Sequence, residues 1–242
     1  MSGLNLFDLM YFSMTGSLAC AMSAALLRKR TLSVICGSLS TICGLALFIL
    51  IICKAERLPL FGKFESLITI VLVMNILSLL NDVFIRAKND ISPWAWGLNL
   101  IILFILYFYP RSLNPDFYMY DDFRVMIFFH FRILASAVFL FSAIIFWAGF
   151  YRSHPGYERR AGNWMLTGAV LFLISEFSGS WWCLDWLGDS WQWSKGFLKA
   201  STVFLTAMLS CHIPANWNMS DEIRGIIGSL PAAGTLWVLF LH

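Results

Sequence analysis

Charge is scarce in this chain. Of its 242 residues 13% are Asp, Glu, Lys or Arg, while 59% are hydrophobic. Soluble domains carry about 25% charged residues, and half that density cannot cover a water-facing surface of this size. Period-two alternation of apolar and polar residues is also missing, which argues against the strands of a transmembrane barrel. No Cys-x-x-Cys pair occurs among the six cysteines, so neither a zinc site nor a dithiol redox motif is indicated. Five of the six lie in apolar runs, where cysteine serves as a small packing residue; Cys183 falls in a segment that reads as exposed. The formal net charge of +3 is too small to suggest nucleic acid. The N-terminus lacks a basic n-region, so it does not read as a cleaved signal peptide. No internal repeat and no low-complexity linker interrupts the chain, which predicts a single membrane domain over residues 1–242.

What is present is a series of apolar runs long enough to cross a hydrocarbon core of roughly 30 Å. In lipid the backbone must satisfy its own hydrogen bonds, so these runs are helices. The predicted fold is all-α, a polytopic membrane helix bundle of about eight spans. They run from about Leu6 to Leu27, Leu32 to Cys53, Leu67 to Ile85, Trp94 to Tyr109, Val125 to Phe150, Trp164 to Phe177, Phe197 to His212, and Gly225 to His242. Basic residues in the connections set the orientation. Arg28, Lys29, Arg30, Arg86, Lys88, Arg152, Arg159, Arg160 and Arg224 share one side, nine against the seven at Lys54, Arg57, Lys63, Arg111, Arg124, Lys195 and Lys199. The first side is predicted to face the cytoplasm or matrix, which leaves both termini outside.

Between the sixth and seventh spans lies Gly179-Ser-Trp-Trp-Cys-Leu-Asp-Trp-Leu-Gly-Asp-Ser-Trp-Gln-Trp193. Tryptophan favours the headgroup level, and an interfacial belt explains one or two of them at a helix end. Five in thirteen residues, with glycines and acids between, read better as an aromatic platform for a planar hydrophobic ligand, a macrocycle or quinone. This segment, taken as 179–197, is predicted to be external. Histidines separate the two ligands. Of His130, His154, His212 and His242, the first and last fall at outer helix ends, on the side of the tryptophans. A lone histidine is most simply a hydrogen-bonded interior side chain, but two beside such a platform suit the axial positions of haem iron. His154 lies among loop arginines and reads as solvated.

These residues resemble the haem-handling cytochrome c assembly proteins, the CcsA, ResC, CcmF and CcmC group with the tryptophan-rich WWD signature, and most of all CcsA and ResC. That signature reads approximately G-x-x-W-x-x-E-x-W-G-x-x-W-x-W-D. Gly179, Trp182, Gly188, Trp191 and Trp193 match it in spacing, and Asp185 takes the place of the Glu. An upstream family pattern, approximately P-L-x-N-x-[FY]-E-S-L, is met by Pro59, Leu60, Phe64, Glu65, Ser66 and Leu67. His130, His212 and His242 fall near positions where the family carries histidines. The departures are Leu187 for a family Trp, Gly62 for an Asn, Ser194 for the closing Asp, and Arg57 for the histidine before the Pro-Leu pattern.

The resemblance implies a haem-binding membrane protein of cytochrome c-type biogenesis, presenting haem b at the outer face of a bacterial inner membrane or an organelle membrane. If active, it would be of the cytochrome c haem lyase or synthase type. Its partners would be an apocytochrome c, with its Cys-x-x-Cys-His, and a second membrane subunit. It further implies His130 and His242 as iron ligands, Trp182, Trp191 and Trp193 as the platform, and Asp185 orienting the incoming chain. His212 would belong to an inner haem site whose family partner position is Arg57. The alternative is a degenerate relative, without haem, acting as a structural or regulatory subunit of a membrane complex.

Overall fold

The computed structural model describes residues 6–59, 62–84, 91–109, 122–152, 156–190, 195–213, 217 and 219–240. They form eight helices and, among the described residues, no strand. In chain order these are α1 (Leu6–Leu26), α2 (Arg30–Ala55), α3 (Lys63–Phe84), α4 (Ser92–Tyr107), α5 (Phe123–Arg152), α6 (Gly156–Leu187), α7 (Lys195–Cys211) and α8 (Asp221–Phe240). α1, α2, α3 and α5 are long and apolar enough to span a bilayer, and α4 and α7 are shorter apolar helices. Leucine, isoleucine and aromatic side chains stand exposed in stripes. On α6 the stripe is Leu166, Val170, Leu173, Phe177, Trp181 and Leu184. On α2 it includes Leu32, Ile35, Leu39, Ile42 and Ile49. Spacings of three and four place each stripe on one helix face. Apolar patches of that extent do not face water in a soluble monomer; they face lipid, and the protein is an integral membrane helix bundle.

The helices pack as two compact units, residues 1–116 and 117–242, dividing where the sequence shows no linker. In the first unit α1 packs on α2 and α4, and α3 packs on α2 and α4. Its interior is joined by polar groups. Asn99 donates to Asn75 Oδ1 at 2.8 Å, Asn75 donates to Ser40 Oγ at 3.3 Å, and Ser40 donates to the Met14 carbonyl at 3.1 Å. One chain of bonds therefore ties all four helices of the unit. Where lipid tails are as apolar as leucine, such bonds supply part of the cohesion that the hydrophobic effect supplies in water.

In the second unit the helices close a ring: α5 packs on α6 and α8, and α7 packs on α6 and α8. Small residues make the crossings close. A Cβ on Gly168 would lie 2.7 Å from the Phe139 ring, one on Gly179 2.5 Å from Phe128, and one on Gly228 2.4 Å from Phe146. Ser175 donates to the Phe128 carbonyl at 2.6 Å and Ser178 to that of Arg124 at 2.9 Å, fixing the register of α6 on α5. Gly179→Ala is therefore expected to destabilise the protein by roughly 1–3 kcal/mol, because overpacking against the Phe128 ring outweighs the gain in helix propensity. Thermal unfolding in detergent checks this, and an unchanged or raised Tm would show that the α5–α6 contact has slack.

Candidate functional site

The site is assembled at one end of the second unit, where α6 outruns α5. At 1.5 Å per residue the 32 residues of α6 extend about 48 Å, well beyond a hydrocarbon core of roughly 30 Å. Ser178 and Gly179 are level with the first turns of α5 through their contacts to Arg124 and Phe128. Residues 180–187 consequently project past the start of α5 while remaining helical. Gly188 ends the helix at φ +74°, its N–H donating to the Leu184 carbonyl at 3.0 Å. A glycine in the left-handed region just beyond the last helical residue is a common way to stop a helix.

This projecting ledge carries Trp181, Trp182, Asp185 and Trp186. Trp182 and Trp186, one turn apart, stack with ring centroids 6.1 Å apart and planes inclined at 27°. Trp181 is 52% and Trp186 62% exposed. Cys183, expected to be exposed, is instead buried. The sequence reading ended the sixth span at Phe177, but the helix continues for ten residues to Leu187, and Cys183 falls on its inward face. Trp191, Trp193 and Ser194 lie outside the described residues.

Arg124, in the first turn of α5, holds the ledge. Its Nη2 meets Asp122 Oδ2 at 2.9 Å and its Nε meets Asp122 Oδ1 at 3.1 Å. Its Nη1 is ion-paired with Asp185, and its guanidinium lies 5.4 Å from the centre of the Trp181 ring. The Asp122 carboxyl is held below the usual range, chiefly by the Arg124 hydrogen bonds and least by the neighbouring Trp186 indole. A depressed carboxyl favours the bound, ionised form, so the cluster is intact above the carboxylate range and loosens as acid protonates Asp122.

His130 Nδ1 lies 2.7 Å from the Met126 carbonyl. A carbonyl only accepts, so Nδ1 carries the proton and the lone pair is on Nε2, the arrangement that suits a metal-ligating imidazole. His130 follows Phe128 by two residues, about 200° around the helix, and so lies off the face that holds α6. His212, exposed at the end of α7, makes the same bond to Met208 at 2.7 Å. It belongs to the opposite end of the unit. The start of α6 is tied there to the start of α8 by the Glu158–Arg224 ion pair, and Ser210 near the end of α7 donates to the Ile227 carbonyl at 2.8 Å. The structure thus brings Trp182 and Asp185 together, puts His130 at their end of the unit but on another face of α5, and separates His212 from them. His242 lies outside the described residues.

Besides the Arg124–Asp185 pair, sequence reasoning missed a pair within the bundle. Arg132 on α5 is ion-paired with Glu176 on α6, its guanidinium 4.0 Å from the centre of the Phe128 ring. The signal was available, since a lone arginine and a lone glutamate interrupt otherwise apolar helices. Arg132 borders a cavity reached by Phe172, Val203 and Thr235, with room for about one water.

In the first unit, Arg57 forms a fork with Glu65, Nη1 to Oε2 at 2.8 Å and Nη2 to Oε1 at 3.0 Å. The Glu65 side chain has no solvent exposure, and Arg57 retains 8%. Phe64, Ser66 and Leu67 are buried with it, so the part of the upstream motif on α3 is enclosed on nearly every side of the helix.

An end-projecting aromatic ledge on a helical membrane bundle defines the general class of the chain. Comparison with known proteins adds one particular likeness. A solved structure titled "Cytochrome c Heme Lyase CcmF" superposes with a TM-score of 0.75 at 15% sequence identity, covering 98% of this chain. The chain spans 46% of that protein's length. At this identity the likeness establishes the fold. No protein-family model matches the sequence, and no curated protein matches it.

Proposed function

We propose that the chain is a haem-handling membrane protein of cytochrome c biogenesis, presenting haem b at the outer membrane face for attachment to an apocytochrome c. The observation that carries this is fold likeness over 98% of the chain to a protein whose name is that of a cytochrome c haem lyase. The stacked pair of half-buried Trp182 and exposed Trp186 supports it, since large rings offer a planar ligand wide contact at low entropic cost. His130, with Nδ1 bonded to a carbonyl, fits the donor chemistry of an iron ligand. His242 is its proposed partner, Trp191 and Trp193 extend the platform, and His212 is left to a separate inner position. Asp185, half exposed beside the platform, would orient the incoming polypeptide. The haem, when bound, supplies the vinyl groups that react with cysteine thiols; the chain's own residues bind and orient it.

The neighbour is about twice as long as this chain. A second membrane subunit, which the family resemblance implies, is part of the proposal, as is a haem lyase activity exerted with that partner. Absorbance of the purified protein in the Soret region, after expression with ample haem, tests the reading. A colourless protein would leave the non-haem structural or regulatory subunit in its place.

The proposed orientation has its own test. In a background lacking the six native cysteines, a membrane-impermeant thiol reagent added from outside should label a cysteine placed at Ser190 and spare one at Ser153. The reverse pattern would invert the membrane topology.

A further inference from the structure

We propose that Arg124 is a positioning residue, a clamp that keeps the last two turns of α6 helical and thereby sets the tryptophan ledge. The inference rests on the reading of the ledge as a haem platform, but its central claim concerns the chain alone. Beyond Gly179 the helix has little to lean on: among residues 180–187 only Cys183 is buried. The C-terminal end of α6 has no basic residue in its last turn, while Asp185 lies within that turn and Asp189 just after it. Carboxylates at the negative end of a helix dipole oppose it, and a cation there favours it. Arg124 supplies that cation from α5. Its fork reaches Asp185 directly and Asp122 at 2.9 Å, and its face meets the Trp181 ring. Two residues of the ledge, Trp181 and Asp185, therefore converge on one side chain. The Arg124 carbonyl also accepts from Ser178 at 2.9 Å, so the clamp stands at the last level where α6 is still packed on α5.

A planar fork holding two carboxylates and an aromatic face cannot be replaced by the single ammonium of lysine. Arg124→Lys should behave like Arg124→Gln rather than rescue it. The experiment is hydrogen exchange of the full chain in detergent, followed by peptide, together with haemin titration of the same samples. Loss of charge-assisted hydrogen bonds is expected to speed exchange of residues 181–187 by roughly tenfold or more, while residues 165–175 keep their protection. Haemin affinity should fall by a similar factor in both variants.

Faster exchange confined to the ledge with weaker haemin binding supports the clamp and its purpose. The same exchange change in a protein that binds no haemin in any form keeps the clamp and removes the haem reading. Unchanged exchange overturns the clamp, whatever haemin does. Exchange accelerated throughout α5–α8 overturns it too, because Arg124 would then hold the bundle rather than the ledge. Confined acceleration with undiminished haemin affinity overturns the positioning role.

Discussion

Replacing His130 by alanine is expected to convert the haem spectrum of the protein from a sharp, low-spin, six-coordinate form to a five-coordinate or haem-free form. Two neutral imidazoles on one iron produce the low-spin state, and losing one opens a coordination position. The His130 ring is prepared for that role: its Nδ1–H is committed to the Met126 carbonyl at 2.7 Å, which leaves the Nε2 lone pair available. Such a bond fixes tautomer and ring orientation together. His242→Ala should have the same effect, since the proposal makes it the second ligand. His212 serves as the control. It is also bonded through Nδ1, to Met208, so its tautomer does not distinguish it. Its position does, at the end of the unit marked by Ser210–Ile227 and Glu158–Arg224, away from Trp182. His212→Ala and His154→Ala should leave the spectrum of the main population unchanged. Complete haem loss from His212→Ala would show that the ligands are assigned wrongly. A bis-histidine spectrum retained in both the His130 and His242 variants would remove the outer site altogether.

The helices were legible because the apolar runs are long and several are stopped by charge, as at Arg28–Arg30 or Lys54–Arg57. Their ends were less so, for reasons that particular residues explain. α6 begins at Gly156 rather than near Trp164, since Glu158, Arg159 and Arg160 sit in its first turns without disturbing the backbone. It ends at Leu187 because the tryptophan segment holds no helix breaker before Gly188, and Gly179, which looks like an interruption, is where Phe128 packs. Hydropathy identifies where lipid is, and a helix can continue past it. The tryptophans and Asp185 were visible as candidates from their density and spacing. Arg124 was not, because an arginine at a loop edge beside Asp122 looks solvated until Asp185 is brought to it from 61 residues away. The division into two packed units had no signal either, as it falls within an ordinary connection.

Arg57→Ala is expected to cost about 3–5 kcal/mol of stability, the range for removing one partner of a buried ion pair. The carboxylate it would abandon has no solvent exposure, and two bonds of 2.8 and 3.0 Å would be lost together. The pair also explains how the chain tolerates arginine where the family it resembles carries histidine. A guanidinium has five donors and no lone pair for iron. Here it is turned instead onto Glu65 in the first turn of α3, where a negative charge is favoured by the helix dipole. Arg57→His, which restores the family residue, should therefore destabilise rather than create a ligand, because an imidazole cannot reproduce the fork. Arg57→Lys should fall between wild type and alanine, keeping charge but losing bidentate geometry. The double change Arg57→Gln with Glu65→Gln should cost less than the sum of the singles, since the two residues share one interaction. Denaturant or thermal unfolding in a single detergent measures all of these. If Arg57→Ala unfolds like wild type, or if the double change costs the full sum, the fork contributes nothing to stability. Should Arg57→His then gain a second, low-spin haem spectrum at undiminished stability, the position would have kept its capacity for a metal and the arginine would be a replaceable occupant of an inner site.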